Sequence, residues 1–162
     1  MARSWVVNTS PLILLAKIGQ ISLLSRLSGE LIIPAGVVAE IYEGPEDDTA
    51  RDWIASEGAI FIRDAGQIPL AIASWDLGKG ESEVLTWAVT NAGFQAVVDD
   101  RAARNCGAAL QVPIIGTLGV LLLAKKERHI AAVGPLFDAL IEAGLRINHA
   151  VLSHALLLAG ER

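Results

Sequence analysis

Short apolar runs alternate with helical segments along the whole chain, and this alternation constrains the fold more than any other feature. The runs predicted as strands lie at 4–8, 31–33, 59–62, 95–98 and 112–115. Because these runs are apolar almost throughout, rather than at every second residue, both faces of each strand are expected to be covered. Strands that alternate with helices form parallel sheets through right-handed crossovers. The pattern therefore predicts an α/β fold with a central parallel sheet of about five strands.

The helices predicted between these strands are bounded by glycine, proline and small polar residues. They are expected at 12–18, 21–27, 35–43, 46–56, 80–91, 101–110 and 118–127, with two more near 135–143 and 148–159. Ser10 is predicted to cap the first helix with Pro11 at its first position, and Thr117 to cap the helix that begins at Leu118. The segment 64–77 has only weak periodicity and receives no assignment.

Composition restricts the class of protein. The chain has 162 residues, of which 52% are hydrophobic and 19% charged, which predicts one domain over 1–162 with the helices from about 135 packing on it or extending it. The single Cys106 excludes a disulfide framework. No run approaches the ~18–20 apolar residues of a membrane span, so a cytoplasmic protein is expected. A net charge of −5 argues against holding nucleic acid through a bulk positive field, but not through a metal bridge.

Glu81 occupies an unusual position on the helix predicted at 80–91. On a wheel of about 100° per residue it lies at the centre of the apolar stripe, whereas Glu83 points to the opposite face, where a solvated glutamate belongs. The stripe consists of Val84, Leu85, Ala88, Val89 and Ala92. Glu81 is either a first-turn glutamate favoured by the helix dipole or a buried carboxylate that needs a cation or a hydrogen-bond network.

Four further residues add oxygen ligands. Glu40 lies on the flank of an apolar helix face, where it either reaches inward or pairs with a surface cation, whereas Glu43 lies opposite. Asp99 and Asp100 directly follow an apolar strand, and one of them is expected to cap the next helix while the other stays free. Asn8 ends the first strand. Because the crossovers of a parallel sheet bring the segments after its strands to one edge, all these oxygens are expected at the carboxyl edge of the sheet.

An oxygen-rich pocket without histidine or cysteine is typical of hard divalent cations such as Mg²⁺ or Mn²⁺. Arg101, Arg104 and the hydroxyl of Thr117 follow the acidic positions closely in the sequence. A metal beside these groups would activate a water and neutralise the charge of a phosphate. The residues therefore suggest the hydrolysis of phosphoesters.

Several motifs, taken in order, resemble the PIN domain superfamily, and its DUF3368 branch most closely. They are VVNTSPLI at 6–13, IP at 33–34 with VVAEI at 37–41, GKGESE at 78–83, VDDRAAR at 98–104 and IGTLG at 115–119. Members of this branch look like toxin components of VapBC-type toxin–antitoxin pairs. The resemblance extends from residue 6 to about residue 158, and it implies a Rossmann-like three-layer α/β/α sandwich.

The resemblance also implies a ribonuclease that depends on Mg²⁺ or Mn²⁺. By position, Asn8 matches the first-strand aspartate of the family, Glu40 the second acid, Glu81 the third and Asp99 the fourth, with Asp100 as an additional acid. The sequence departs from the family at Asn8, where an amide supplies a neutral oxygen in place of a carboxylate. A weaker affinity for metal is expected to follow.

The remaining expectations concern substrate and partners. Ser10, which matches the small hydroxyl beside the first acid, and Thr117 are expected to position water or phosphate, and Arg101 and Arg104 to orient the RNA backbone. Besides RNA, the resemblance implies an antitoxin protein and a homodimer, for which the apolar faces of the last two helices offer an interface. The alternative is a catalytically impaired PIN-like module that binds RNA or a protein, and Asn8 is the residue that separates the two.

Overall fold

A parallel sheet forms the centre of the computed structural model, which describes residues 2–161. Its five strands are β1 (Ser4–Val7), β2 (Glu30–Pro34), β3 (Ile62–Arg63), β4 (Phe94–Val97) and β5 (Ile114–Ile115). They are arranged in the order β3-β2-β1-β4-β5, and every neighbouring pair is parallel. The chain thus builds one half of the sheet outward from β1 and then crosses over to build the other half.

Helices flank this sheet on its two faces, which confirms the predicted α/β/α sandwich. Within residues 2–161 the α-helices are α1 (Thr9–Lys17), α2 (Leu23–Leu27), α3 (Ala35–Glu43), α4 (Thr49–Ala55), α5 (Leu70–Ala73), α6 (Lys79–Thr90), α7 (Arg101–Ala109), α8 (Thr117–Lys126), α9 (Gly134–Glu142) and α10 (His149–Leu158). None of these helices is long and apolar enough to cross a membrane. Near the end of the chain, α9 contacts α1 and α10 contacts α8.

The central strand explains why apolar runs identified the sheet. Trp5, Val6 and Val7 of β1 are completely buried. In the register of the sheet, Val6 lies beside Ile32 of β2 and Val7 beside Val97 of β4. Because helices cover both faces, the inner positions of these strands are apolar, and the exposed polar residue Glu30 lies at the very start of β2.

The strand predicted at 59–62 is mostly wrong. Residues Glu57–Phe61 form a 3₁₀ helix, and only Ile62–Arg63 pair with β2. Gly58 is held against the ring of Trp53, since a Cβ at Gly58 would lie 2.6 Å from two ring carbons. The chain therefore turns tightly around this tryptophan before it enters the sheet.

Two predicted helix caps also differ from the structure. α1 begins at Thr9 with Asn8 in the N-cap position, so Ser10 lies within the first turn rather than before it, and Pro11 is the third helical residue rather than the first. Asn8 already donates its backbone N–H to Val97 O (3.1 Å), so the strand passes into the helix without an intervening loop. Similarly, Thr117 is the first residue of α8 and not its cap.

Candidate active site

The acidic positions on α3 and α6 meet at the carboxyl edge of the sheet. Asn8 directly follows β1, Glu40 lies on α3, and Glu81 lies in the first turn of α6. The backbone N–H of Gly80 donates to Glu40 Oε2 (3.1 Å). A Cβ at Gly80 would lie 2.3 Å from Glu40 Oε1 and 3.1 Å from Asn8 Oδ1. Only glycine lets the start of α6 approach these two side chains so closely.

Gly78 receives Glu81 in the same way. A Cβ at Gly78 would lie 2.6 Å from Glu81 Oε1 and 3.8 Å from Glu40 Oε2. The two carboxylates are therefore packed against one short turn, which consists of Gly78, Lys79 and Gly80. Each of these glycines allows an acidic side chain to occupy the space that a larger residue would fill.

The electrostatics of Glu81 reflect this crowding. Burial raises the pKa of the Glu81 carboxyl, and the negative charges of Asp100 and Glu40 raise it further. Hydrogen bonds from the backbone of Gly78 and from the side chain of Asn8 lower the same pKa in part. Three carboxyl groups thus act on one another in a half-buried space, where a cation would relieve their repulsion.

Asn8 contributes an unsatisfied oxygen to the site. The residue is 3% exposed, and its Oδ1 atom is buried without a hydrogen-bond partner among the described residues. A buried acceptor left unpaired costs about 1–3 kcal/mol, so a native structure has a reason for keeping one. A carbonyl oxygen beside two carboxylates is a ligand type that a hard divalent cation accepts.

Asp99 and Asp100 divide their roles. Asp100 caps α7, since its Oδ2 accepts from Ala103 N (3.0 Å), and its charge acts on Glu81. Asp99 instead accepts from Thr117 through both oxygens, from the backbone N–H at 2.8 Å and from Oγ1 at 2.6 Å. The expectation that one of the pair caps the helix is confirmed. The capping residue, Asp100, is also the one whose charge raises the pKa of Glu81.

Glu83 corrects the prediction that this side chain is solvated. It is only 9% exposed, and Thr86 on the same side of α6 is completely buried, whereas Val89 of the predicted stripe is 44% exposed. The single-stripe prediction is wrong because α6 is surrounded: it contacts α3, α5 and α7 as well as three strands, so most of its circumference is covered.

The buried Glu83 carboxylate caps another helix. Its Oε1 accepts from the backbone N–H of Gly36 (2.9 Å) in the first turn of α3. Pro34, in the N-cap position of that helix, offers no side-chain acceptor. A Cβ at Gly36 would lie 2.4 Å from Glu83 Oε2, so glycine is required there. Glu83 thereby joins the helix that carries Glu40 to the helix that carries Glu81.

A second residue missed at the sequence level is Thr9. Its Oγ1 donates to Glu40 Oε1 at 2.5 Å, so this hydroxyl, together with the N–H of Gly80, orients the carboxylate. Ser10, the hydroxyl singled out by the family pattern, is exposed. A predicted helix start at Thr9 would have indicated that this hydroxyl faces the site. The Ser-Pro pair at 10–11 instead favoured a start after Ser10.

The three remaining predicted residues lie on the side of Asp99. Thr117 is completely buried and bonded to Asp99, so its hydroxyl holds an acid and does not face solvent, contrary to its expected contact with water or phosphate. Arg101 and Arg104 are exposed and line a cleft of about 670 Å³ that begins at Asp99. The cleft extends to the segment before α10 and to α10 itself, where Arg146 and His154 line it.

The donor set of this edge fits a hard divalent cation by its chemistry. Carboxylates of Glu40, Glu81 and Asp100 and the unpaired carbonyl of Asn8 supply only oxygen. As the side chains stand, no group of three or more His, Cys, Asp or Glu within residues 2–161 is arranged so that it could hold an ion. The cluster therefore offers the ligand types that a hard cation prefers, but its described side chains do not stand in the arrangement that would hold one.

Comparison with known protein families identifies the family of the chain. A family model described as DUF3368, a PIN domain, matches residues 4–161, which is nearly the whole chain. No curated protein matches the sequence.

Proposed function

Because the chain belongs to the DUF3368 family of PIN domains, we propose that it is an endoribonuclease that depends on Mg²⁺ or Mn²⁺. PIN domains are generally metal-dependent nucleases that act on RNA. The observation that carries the proposal is the meeting of Glu40, Glu81 and Asp100 beside the buried, unpaired Oδ1 of Asn8. The charges that shift the pKa of Glu81 belong to two acids and include no cation of the protein, whereas a buried charge in a purely structural site is usually paired.

In the proposed site, Glu40, Glu81 and Asp100 hold the metal, and Asn8 adds a neutral oxygen. A bound divalent ion supplies a more acidic water and neutralises phosphate charge. The chain orients its own ligands: Thr9 and the N–H of Gly80 hold Glu40, as the hydrogen bonds described above show. We assign Asp99 to the cleft side of the site, as an acid fixed by Thr117.

Arg101 and Arg104 are the proposed contacts of the RNA backbone. Both are exposed, and both line the cleft that opens beside Asp99. Guanidinium groups bind phosphate oxygens in a bidentate geometry, which fixes the strand relative to the acidic cluster. The hydroxyl of Ser10, exposed next to Thr9, is proposed to contact a phosphate oxygen. In the reaction, a water oxygen bonds to phosphorus, the bond from phosphorus to O3′ breaks, and O3′ takes a proton, leaving a 5′ phosphate and a 3′ hydroxyl.

The experiment that tests this function uses the purified full chain and a mixed RNA substrate. Cleavage is measured by gel electrophoresis with Mn²⁺, with Mg²⁺ and with a chelator. We expect cleavage with at least one ion and none with the chelator. Cleavage that persists in the chelator, or its absence with both ions, would contradict the proposal.

A finer proposal is that the chain is the cytoplasmic toxin of a VapBC-like pair, held inactive by an antitoxin protein. The resemblance of its motifs to that branch supports it. Induced expression of the chain in a bacterial host is expected to stop growth, and co-expression of a small antitoxin encoded by a neighbouring open reading frame is expected to restore it. Growth that continues during expression of a soluble, RNA-cleaving chain would exclude the toxin role.

The same proposal includes a homodimer. Ile141 on α9 is 40% exposed and Leu157 on α10 is 64% exposed, and both are large apolar side chains on the last two helices. Burying such side chains in an interface is favourable by roughly 25 cal/mol per Å² of apolar surface. Light scattering after gel filtration is expected to give twice the mass of the chain, and Leu157→Glu is expected to reduce it to the monomer.

Asn8 favours a second candidate function, that of a catalytically impaired module that binds RNA or a protein. An amide in place of the first acid removes one negative charge from the ion site. The variant Asn8→Asp separates the two functions. If it creates metal-dependent cleavage that the natural chain lacks, the natural chain is the binding module; if the natural chain already cleaves RNA, the nuclease is the correct assignment.

A further inference from the structure

The cleft beside Asp99 is unusual in its charge. The whole chain has a net charge of −5, yet Arg101, Arg104 and Arg146 all line this cleft, together with His154. Asp99 is the one carboxylate among the described residues of its lining, and both oxygens of Asp99 already accept from Thr117. The cleft is therefore a local cationic surface on an acidic protein, which points to an anionic occupant.

The three arginines of the cleft are free to bind such an occupant. All three are exposed, and none forms an ion pair or hydrogen bond with another residue in the part of the chain that the structure describes. Elsewhere the structure uses arginine differently: Arg51 donates to Tyr42 O, and Arg63 donates to two backbone carbonyls. The guanidinium groups of the cleft lack such internal roles.

The walls of the cleft come from three separate parts of the chain. α7 supplies Arg101 and Arg104, α8 supplies an apolar floor with Leu118 and Leu122, and α10 with the segment before it supplies Arg146 and His154. The cleft of about 670 Å³ has the size of a small-ligand pocket, which suits an extended single strand. No Phe, Tyr or Trp among the described residues lines it, so the backbone and not base stacking must provide most of the contacts.

We propose that this cleft binds a single strand of RNA, with Arg146 and His154 as contacts at the end distant from the acidic cluster. The inference rests on the proposed function for the identity of the nucleic acid, and it adds the path of the strand. The strand passes from the acids at the sheet edge, along α7, to the C-terminal helix α10. On this path α10 and the segment before it belong to the substrate site as well as to the fold.

Binding without hydrolysis tests the path. A short fluorescent single-stranded RNA of mixed sequence is titrated with the full chain in the presence of a chelator, at several salt concentrations. Arg146→Gln is expected to weaken binding about three- to tenfold and to reduce the slope of log affinity against log salt by about 0.7, the value for one phosphate contact on a single strand. Arg26→Gln, an exposed arginine on α2 that does not line the cleft, is the matched control and is expected to change neither.

The outcomes separate the cleft from the nuclease. If Arg146→Gln and Arg26→Gln bind RNA equally well, or lose affinity equally, the cleft is not the path of the strand. If RNA does not bind the natural chain at all, or if only double-stranded RNA binds, the inference is also wrong. Loss of binding in Arg146→Gln with no cleavage by the natural chain in Mn²⁺ or Mg²⁺ would support the cleft and reject the nuclease. Cleavage with a KM that Arg146→Gln leaves unchanged would support the nuclease and reject the cleft.

Discussion

Two glutamates of this protein, Glu81 and Glu161, are in opposite environments. Glu161, near the end of the chain, accepts from Lys125 Nζ at 2.7 Å and from the backbone N–H groups of Val133 (2.7 Å) and Gly134 (2.8 Å). The Lys125 ammonium and these N–H groups lower its pKa to about 2. Burial and two neighbouring carboxylates raise the pKa of Glu81. Glu161 is paired with a cation, whereas Glu81 accepts only from the neutral groups of Gly78 and Asn8 and is crowded by two acids.

The difference separates a structural carboxylate from a candidate functional one. Glu161 ties the end of the chain to α8 and to the start of α9, and its charge is compensated by groups of the protein. Glu81 has no cation of the protein beside it among the charges that shift its pKa, so its charge is compensated only if something else binds. An uncompensated carboxylate in a native fold is therefore evidence for a ligand, whereas a compensated one is evidence for stability.

The largest expected effect is on catalysis by Glu81→Gln. If Glu81 is a metal ligand, this variant should lose RNA cleavage by more than about a hundredfold, the upper figure for residues that only orient ligands. The thermal stability of the metal-free protein should stay the same or rise, because the substitution removes a charge that Asp100 and Glu40 repel. Gel electrophoresis of the RNA products in Mn²⁺ and melting without the ion measure these two effects, and calorimetry measures the affinity for Mn²⁺.

Glu142→Gln is the control for Glu81→Gln, since Glu142 is exposed on α9 and is not part of the acidic cluster. It should leave cleavage and Mn²⁺ binding unchanged. If Glu81→Gln keeps its affinity for Mn²⁺ or melts at a lower temperature than the natural chain, Glu81 is a structural residue like Glu161 and the comparison fails.

The next effect is on stability, at Glu83. Glu83→Ala removes the acceptor of the Gly36 N–H, which is buried at the start of α3. Leaving such a group unpaired costs about 1–3 kcal/mol, and the free energy of unfolding measured in urea should fall by that amount. Because α3 also carries Glu40, cleavage should fall as well. An unchanged urea midpoint would show that Glu83 does not hold the two helices together.

Glu83 also shows where prediction from sequence ends. The apolar runs of β1 and β4 identified the sheet because they are buried on both faces, and this property is local to each strand. The helical wheel of α6 assumes one buried face, and it failed because neighbours from distant parts of the chain cover the opposite face as well. The candidate acids can be named from their positions after strands and on helix faces. The hydrogen-bond partner of each oxygen, however, depends on tertiary packing.

The glycines of the site illustrate the same limit. The sequence shows only that Gly78 and Gly80 lie where the predicted helix 80–91 begins, which is a common place for glycine. Only the structure shows that Glu40 and Glu81 occupy the space where their side chains would be. Likewise, nothing in the sequence around Glu161 indicates that it accepts from residues 28 and 27 positions earlier in the chain.

A smaller effect is expected for Gly80→Ala, which sharpens the comparison at Glu40. The new methyl group would lie 2.3 Å from Glu40 Oε1, so the carboxylate must move away from Asn8 and from the Gly80 N–H. We expect about a tenfold loss of cleavage, comparable with the loss of a partner that orients a ligand, and only a small change in melting temperature. Gly44→Ala is the matched control, because its Cβ would meet the backbone at an ordinary 3.4 Å. Equal activity in both variants would contradict the proposed role of Glu40.

The smallest effect expected is the pH dependence of the stability that Glu161 contributes through its bonds with Lys125, Val133 and Gly134. Its pKa is lowered from 4.5 to about 2, so the stability that it contributes is fully present above the unfolded value and is lost as the pH falls from 4.5 toward 2. Glu161→Gln should therefore melt at a lower temperature than the natural chain at pH 7 and should lose less of its stability between pH 5 and pH 2.

Glu81 has the opposite sign, because its raised pKa favours the protonated form in the folded state. The stability associated with this proton is present below the unfolded pKa of 4.5 and is lost as the pH rises through the raised pKa. The natural chain should therefore lose stability as the pH rises toward neutral, and Glu81→Gln should abolish this loss. Melting curves of both variants from pH 3 to pH 8 measure the two slopes. If the two substitutions change the pH dependence in the same direction, the carboxylates do not differ in the way their surroundings indicate.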